Sequence, residues 1–513
     1  MAAKKPLAQS QGVRVLETYP ITSENVPAQV SICERMDEYV NTYEVEQIQV
    51  YKATEVMLNY LKERIISSVN VRISEILDPR EIETVRKKFI ARAEELVKEE
   101  MGNVSDEESK ILVGKLAHEL LGLGDVEMLL ADNSLEEIVI NSAREPVWVY
   151  HKKWGWLKTN LVIKSEEQIQ NYSAIIGRKV GRQITNLNPL MDAHLTTGDR
   201  VNAVLFPIAT RGNCITIRKF AKSPWTIVRM MDPAIRTVSA DIAALLWLSV
   251  QYEMNMLISG GTGSGKTSFL NAILVFTPPN QRVVSIEDTR ELYLPEYLNW
   301  TPLVTRQPNP EGKGEVSMLD LMVNSLRMRP DRIILGEMRR QREAEVLFEA
   351  MHTGHVVFAT IHADDANQTK KRLTSPPIAL PESMLEALHL IVVQYRQRRT
   401  GIRRVLEIAE VVPTMEGVGI NKVFKWIPRD DEIKKVGEYV RLLDQFELYT
   451  GMTPKEINED IAEKKCVLEY LAGKKIYDVD EVGKFVALYY RRRDELLKGV
   501  SKNVDAKELA GMA

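Results

Sequence analysis

Cysteine is almost missing from this sequence. Cys33, Cys214 and Cys466 are the three in 513 residues, and no two form a C-x-x-C pair. That argues against a disulfide framework and against a four-cysteine zinc site, and it fits a reducing compartment. Long hydrophobic runs are missing too. The most apolar stretch, Ile242 to Val250, is too short to span a bilayer. The first ten residues, Met-Ala-Ala-Lys-Lys-Pro-Leu-Ala-Gln-Ser, lack the apolar core of a signal peptide. The expectation is therefore a cytoplasmic protein that meets any membrane from the water side, with no direct insertion. An excess of one charge is also lacking: Lys+Arg 68 against Asp+Glu 71 leaves −3. No general nucleic-acid partner is expected from that balance. No fixed-period repeat or low-complexity tract stands out.

What the chain does have is Ser259-Gly260-Gly261-Thr262-Gly263-Ser264-Gly265-Lys266-Thr267. It satisfies G-x-x-x-x-G-K-[ST]. The apolar run Met256-Leu257-Ile258 leads in, and Phe269 to Leu274 follows as a helix pattern. Glycines let the backbone curl so that several N–H groups point at phosphate. The helix N-terminus adds partial positive charge. Gly260 through Ser268 would cradle the phosphates, with Lys266 reaching the β- and γ-phosphates and Thr267 ligating Mg²⁺. ATP and Mg²⁺ are the cofactors this implies. The N-K-x-D pattern that reads guanine is not met: Asn421-Lys422-Val423 is followed by Phe424.

Composition shifts divide the chain. Residues 1–120 read as a charged helical region, with Leu58, Leu61, Ile65 and Val69 at helical spacing. Residues 121–220 carry short β-type runs (Glu137–Asn141, Val147–Tyr150, Arg200–Phe206, Cys214–Arg218) between turn signals and read as a small α+β domain. Residues 221–238, with Pro224 and Pro233, are the linker candidate. Residues 239–425 alternate strand and helix, which predicts a parallel sheet covered on both faces. Residues 426–513 return to charged helices.

Four apolar runs between 256 and 362 each stop at a residue suited to nucleotide chemistry. Met256–Ile258 ends in the phosphate loop, Val283–Ile286 at Glu287-Asp288, Ile333–Leu335 at Gly336-Glu337, and Val356–Ile361 at His362. If these strands are parallel neighbours, their tips converge on one sheet edge. Glu337 would then hold Mg²⁺ through a water, Glu287 would orient or deprotonate the attacking water, and His362 would sense the γ-phosphate. The plainer alternatives are solvated strand ends or helix caps for the two glutamates, and core histidines or a metal pair for His355 and His362. Asp288 reads alternatively as a cap of the following turn. Arg200 and Arg218 could reach a nucleotide as arginine fingers or form ordinary surface ion pairs. Arg327, Arg329, Arg339 and Arg340 bracket the Glu337 strand. Arg396, Arg398, Arg399, Arg403 and Arg404 form a basic run without interleaved aromatics, which reads as an interface or a solvated face.

Four blocks together resemble the secretion and pilus ATPase superfamily. They are Gly260–Thr267, Val283–Leu292 (its aspartate box), Leu326–Arg339 (its Walker B block) and Thr353–Asp364 (its histidine box). Upstream, Leu129–Ile138 and Asp192–Asn202 resemble its N-terminal domain, so the likeness covers about residues 125–412. Ser285–Leu292, Leu294-Pro295, Asn299-Trp300, Val304–Arg306 and Ser375–Ile378 resemble the archaeal secretion and archaellum branch. The resemblance implies an α/β fold: a RecA-like P-loop ATPase domain with a parallel sheet, preceded by a small α+β (PAS-like) domain and the helical N-terminal region. It further implies a homo-hexameric ring at the inner face of the cell membrane and contact with a polytopic membrane platform protein. Arg200 and Arg218 match family arginines that reach the γ-phosphate. The expected function is an ATPase motor for secretion or for assembly of a pilus- or archaellum-like filament. The alternatives are a nucleic-acid translocase of conjugation type and a nucleotide-gated scaffold without turnover.

Overall fold

Residues 13–47 alternate branched or aromatic side chains with polar ones, a period-two pattern that suits strands. The computed structural model describes residues 12–48, 51–69, 82–102, 104–195, 198–220, 224–308, 312–415 and 417–511. In it this stretch forms β1 (Val13–Ser23), β2 (Val26–Arg35) and β3 (Thr42–Gln47). The helical expectation for residues 1–120 is corrected here. The turn between β1 and β2 is Glu24-Asn25, at φ 48° and 64°, and positive φ at both positions matches the twist of a tight hairpin. Asn without a following Gly is a weak hairpin signal, and the dense charge beyond residue 50 hid it. The helices Lys52–Ser68, Ile82–Met101 and Asp106–Leu121 follow as expected. Leu58, Leu61 and Ile65 are buried among them. Residues 70–81 of the expected helical region lie outside the described residues.

The chain divides into two compact units, Met1–Lys222 and Ser223–Ala513. In the first, six more strands join the hairpin: β4 (Leu135–Ile140), β5 (Pro146–His151), β6 (Gly155–Val162), β7 (Leu190–His194), β8 (Arg200–Val204) and β9 (Cys214–Arg218). Their order is β1-β2-β3-β6-β5-β4-β9-β8-β7. The link is parallel pairing of Thr42 and Tyr43 with Lys158 and Thr159. The boundary expected at 120/121 is thus crossed by a single sheet. Buried Asp132 ties the added strands down, accepting from the hydroxyls of Tyr19 (2.7 Å) and Tyr43 (2.8 Å) and from the Ser134 N–H (2.7 Å).

The second unit holds β10 (Met256–Gly260), β11 (Arg282–Glu287), β12 (Asn299–Val304), β13 (Arg332–Leu335), β14 (Val356–Ile361), β15 (Leu390–Arg396), β16 (Arg403–Thr414), β17 (Gly417–Ile427) and β18 (Glu432–Lys435). The order is β12-β11-β13-β14-β10-β15-β16-β17-β18. The first six strands run parallel, and β15 to β18 pair antiparallel. The sheet is therefore mixed and runs past the boundary expected at 425/426. Helices cover both faces. One core holds Leu257, Ile286, Leu335, Phe348 and Val357. The other joins Ile258, Phe269 and Phe358 to C-terminal helix residues such as Leu468, Phe485 and Tyr489. In that core Trp247 stacks on Phe276 at 4.9 Å and donates to the Tyr490 hydroxyl at 3.0 Å. The C-terminal helices are part of the same packed unit because their apolar faces fill the groove beside Ala240–Gln251.

Residues 224–238 also correct an expectation. They are no loose linker: Ile227, Val228, Met230 and Val238 are buried in the second unit's core, and Thr226 Oγ1 donates to the Tyr477 carbonyl at 3.0 Å. Pro224 and Pro233 break the helical period without removing the apolar contacts. Residues 221–223 of the expected linker lie outside the described residues. No helix among the described residues is long and apolar enough to cross a membrane.

Candidate active site

The four strands that stop at reactive residues are consecutive neighbours, β11-β13-β14-β10. All are parallel, so Glu287, Glu337, His362 and the phosphate loop leave the same edge of the sheet. Each sits there because a run of branched side chains, buried on both faces, ends where the polar residue begins.

The loop starts at Gly260, whose φ is 151°. A Cβ there would stand 2.3 Å from the Gln394 carbonyl oxygen, so the tight departure from β10 requires glycine. Gly265 opens the helix Lys266–Leu274 at φ 91°. Among the described residues, the N–H groups of Thr262, Gly263 and Gly265 meet no backbone acceptor. Orphan donors curled around a helix N-terminus are the chemistry an anionic phosphate chain requires. Lys266 is buried, and its Nζ donates to the carbonyls of Gly260 (2.9 Å) and Gly261 (3.0 Å) and meets His362 Nδ1 at 3.3 Å. Burial lowers its pKa, and the nearby Glu337 carboxylate opposes that shift. Thr267 lies in the first turn of the same helix.

Glu337 is half-buried between Arg339 and His362. Its Oε2 accepts from Arg339 at 2.6 Å, and its Oε1 lies 3.2 Å from His362 Nε2. Arg339 also reaches Asp288 at 2.8 Å, so the guanidinium clasps the tips of β11 and β13. The same Asp288 accepts from the Thr305 hydroxyl at 3.3 Å. His362 is held below its ordinary pKa by burial and by the Lys266 charge, with Glu337 opposing.

Glu287 is buried at 1% exposure. One oxygen accepts the N–H groups of Glu291 (2.9 Å) and Leu292 (3.1 Å). The other is buried with no partner among the described residues. Burial pushes this carboxyl up to about 7, against the pull of those two hydrogen bonds. Three strand spacings, about 14 Å, separate β11 from β10. The helix Lys266–Leu274 closes that gap: Asn271 accepts from the Tyr293 N–H at 2.8 Å, beside the turn that follows Glu287.

Other expected residues fall elsewhere. His355 precedes β14 and His362 follows it. Opposite ends of a six-residue strand are about 20 Å apart, which rules out a shared metal. No cluster of three or more metal-ligating side chains occurs among the described residues. Arg200 and Arg218 belong to the first unit, where β8 and β9 place them directly opposite each other. Arg200 makes a two-pronged pair with Asp192 (3.0 and 2.6 Å). Arg218 lies 3.6 Å from Glu137 and is 68% exposed.

The basic run after β15 is only partly the solvated face that sequence suggests. Arg403 Nε donates to the Gly263 carbonyl at 3.2 Å, and a Cβ on Gly263 would stand 2.9 Å from an Arg396 nitrogen. Arg396 pairs across the hairpin with Arg403, so two arginines lie over the phosphate loop. Arg404 is buried and paired with Asp431 at 2.7 Å. The hairpin register makes these contacts, and no local pattern announces them.

Residues 165–402 match the family model described as type II/IV secretion system protein. An uncharacterized protein of Methanocaldococcus jannaschii is 34% identical over 399 residues, covering 76% of this chain and 71% of its own length. The type IV secretion system protein PtlH of Bordetella pertussis is 29% identical over 316 residues, 57% of this chain and 89% of its own. Among solved structures, the Legionella pneumophila ATPase DotB is 20% identical, covers 70% of this chain and 94% of its own, and gives a TM-score of 0.40. Since the matched segment contains all four strand ends that carry the candidate chemistry, and the archaeal relative aligns over most of both chains, this chain belongs to the type II/IV secretion system protein family, the superfamily of secretion ATPases.

Proposed function

We propose that this chain hydrolyses ATP and converts the reaction into domain motion that drives protein secretion or assembly of a pilus- or archaellum-like filament. The observation that carries the proposal is the arrival of Lys266, Glu337, His362 and Glu287 at one edge of four adjacent parallel strands. The orphan amides of the phosphate loop and Lys266 neutralise the β- and γ-phosphate oxygens. Thr267 and Glu337 are the residues that would hold Mg²⁺, Glu337 through a water, and the ion when bound supplies further charge neutralisation on the phosphates. Glu287 accepts the proton of the attacking water on its unpartnered oxygen; a pKa near 7 suits that transfer. His362 touches both Lys266 and Glu337, so a phosphate that draws Lys266 off the loop carbonyls changes the histidine's partners. That makes it the sensor.

The finer parts of the proposal rest on the family resemblance. Six copies form a ring at the inner face of the membrane, against a polytopic platform protein. On the same resemblance, Arg200 and Arg218 reach the γ-phosphate of the bound nucleotide. Purified full-length protein should release phosphate from MgATP at steady state and form hexamers by mass photometry. Nucleotide binding without phosphate release would convert the proposal to the scaffold reading. Release stimulated by DNA and lost steeply with salt would convert it to the translocase reading.

A further inference from the structure

Beside the phosphate loop opens a cleft of about 740 Å³. Gly261 and Thr262 of the loop line it together with His362. One wall is the helix Ala366–Thr374, which follows β14. Gln368, Lys371, Arg372 and Ser375 line that wall, and their spacing of three, four and seven residues puts them on one helical face. Arg398, between β15 and β16, also lines the cleft. Lys371, Arg372 and Arg398 are exposed, and none has an ion-pair partner among the described residues. Asp364 is the one carboxylate in the lining, and it sits against Gly261.

Three cations against the single carboxylate of Asp364 leave the cleft with an excess of positive charge, so it favours an anion. It is too roomy for a close-fitting cage: a water occupies about 30 Å³, so the volume admits an anion with its hydration shell. A nucleobase would gain little from walls of this kind. The cleft adjoins the phosphate loop and His362, where the proposed hydrolysis would release an inorganic phosphate dianion. We infer that this cleft is a product-exit subsite, in which Lys371, Arg372 and Arg398 draw orthophosphate away from the phosphate loop while ADP is still bound. The inference rests on the proposed ATPase reading, because that reaction supplies the phosphate. Lys266 and His362 hold the anion at the inner end, and the three outer cations offer it charge-assisted hydrogen bonds further out.

The test is equilibrium dialysis of radiolabelled orthophosphate against full-length protein saturated with MgADP, with MgADP binding measured in parallel by calorimetry. The wild type should bind phosphate saturably. The variant Lys371→Ala/Arg372→Ala/Arg398→Ala should bind it at least about tenfold more weakly, since each tenfold step is the loss of a modest charged contact. The charge-conserving variant Lys371→Arg/Arg372→Lys/Arg398→Lys should restore binding and shows that the site tolerates substitution. Retained MgADP binding with no phosphate binding by the wild type, or with equal phosphate affinity in wild type and alanine variant, overturns the exit subsite alone. Failure of the wild type to bind MgADP strikes the ATPase reading itself and takes the subsite with it.

Discussion

His362 Nε2 lies 3.2 Å from Glu337 Oε1. The other ring nitrogen faces Lys266, so one imidazole spans the acidic and basic poles of the site. The two poles come from β13 and β10, with β14 between them delivering the histidine. Several consequences of that arrangement can be measured.

Glu337→Gln removes the negative charge but keeps the shape. It should leave ATP binding nearly intact, since Lys266 and the loop amides are untouched, and lower steady-state phosphate release by about 10³-fold. Fluorescent-nucleotide titration and a phosphate-release assay read the two effects separately. Normal turnover would remove Glu337 from the machinery.

Lys266→Ala should abolish hydrolysis. It also removes a buried cation whose pKa is lowered by burial, so the melting temperature of the nucleotide-free protein should hold or rise. The stabilisation by MgATP should vanish, because ligand-linked stability follows binding to the folded state. A thermal shift series over ATP concentration checks both.

Glu287 sets function against stability. Its carboxyl has its pKa pushed up to about 7 from the ordinary 4.5, so the folded chain holds that proton more tightly than the unfolded chain. Stability is greatest below the ordinary value and falls as pH rises from about 4.5 to about 7, by about 3 kcal/mol in all. Glu287→Gln should therefore be more stable than wild type at pH 8 by about 3 kcal/mol and equal to it near pH 4. The same variant should lose turnover, and the wild-type rate should climb as pH rises through about 7 as the base ionises. Urea melts at the two pH values, and a pH–rate profile, decide it.

Arg404→Ala removes a buried guanidinium that is paired with Asp431 and donates to the Ile235 carbonyl at 2.7 Å. The loss should be about 2 kcal/mol, below that for a fully buried pair because Asp431 stays partly in water. Arg399→Ala, at an exposed neighbour in the same run, should cost less than about 0.5 kcal/mol. Chemical denaturation of the two variants gives the contrast.

Arg218→Ala tests the arginine-finger proposal. The side chain is exposed and only loosely paired with Glu137, so folding should be unaffected, while kcat should drop by about 10²-fold or more with little change in ATP affinity. An unchanged kcat would leave Arg218 an ordinary surface residue.

Much of the site was legible in the sequence because each part is local. The glycines, the lysine and the threonine of the phosphate loop are adjacent in the chain. Each acidic or imidazole tip directly follows an apolar run of strand length. The hairpin at residues 13–35 was legible in principle through its period-two pattern, but it lacked a strong turn dipeptide. Ile227, Val228 and Met230 were hidden by the prolines around them, although burial and not periodicity decides their role. Arg396 and Arg403 could not be placed at all: they lie over Gly263 because an antiparallel register sets them opposite each other beside β10.

By itself the sequence determined where the phosphate-loop pattern lies and which apolar runs end on acidic or imidazole residues, since those features depend on neighbours within a few residues. Only the tertiary structure decided that β11, β13, β14 and β10 stand side by side, that the N-terminal hairpin extends the first sheet, and that the C-terminal helices belong to the second core. Those outcomes depend on pairing and packing between segments far apart in the chain, where many arrangements satisfy the same local pattern and the burial of whole faces selects one.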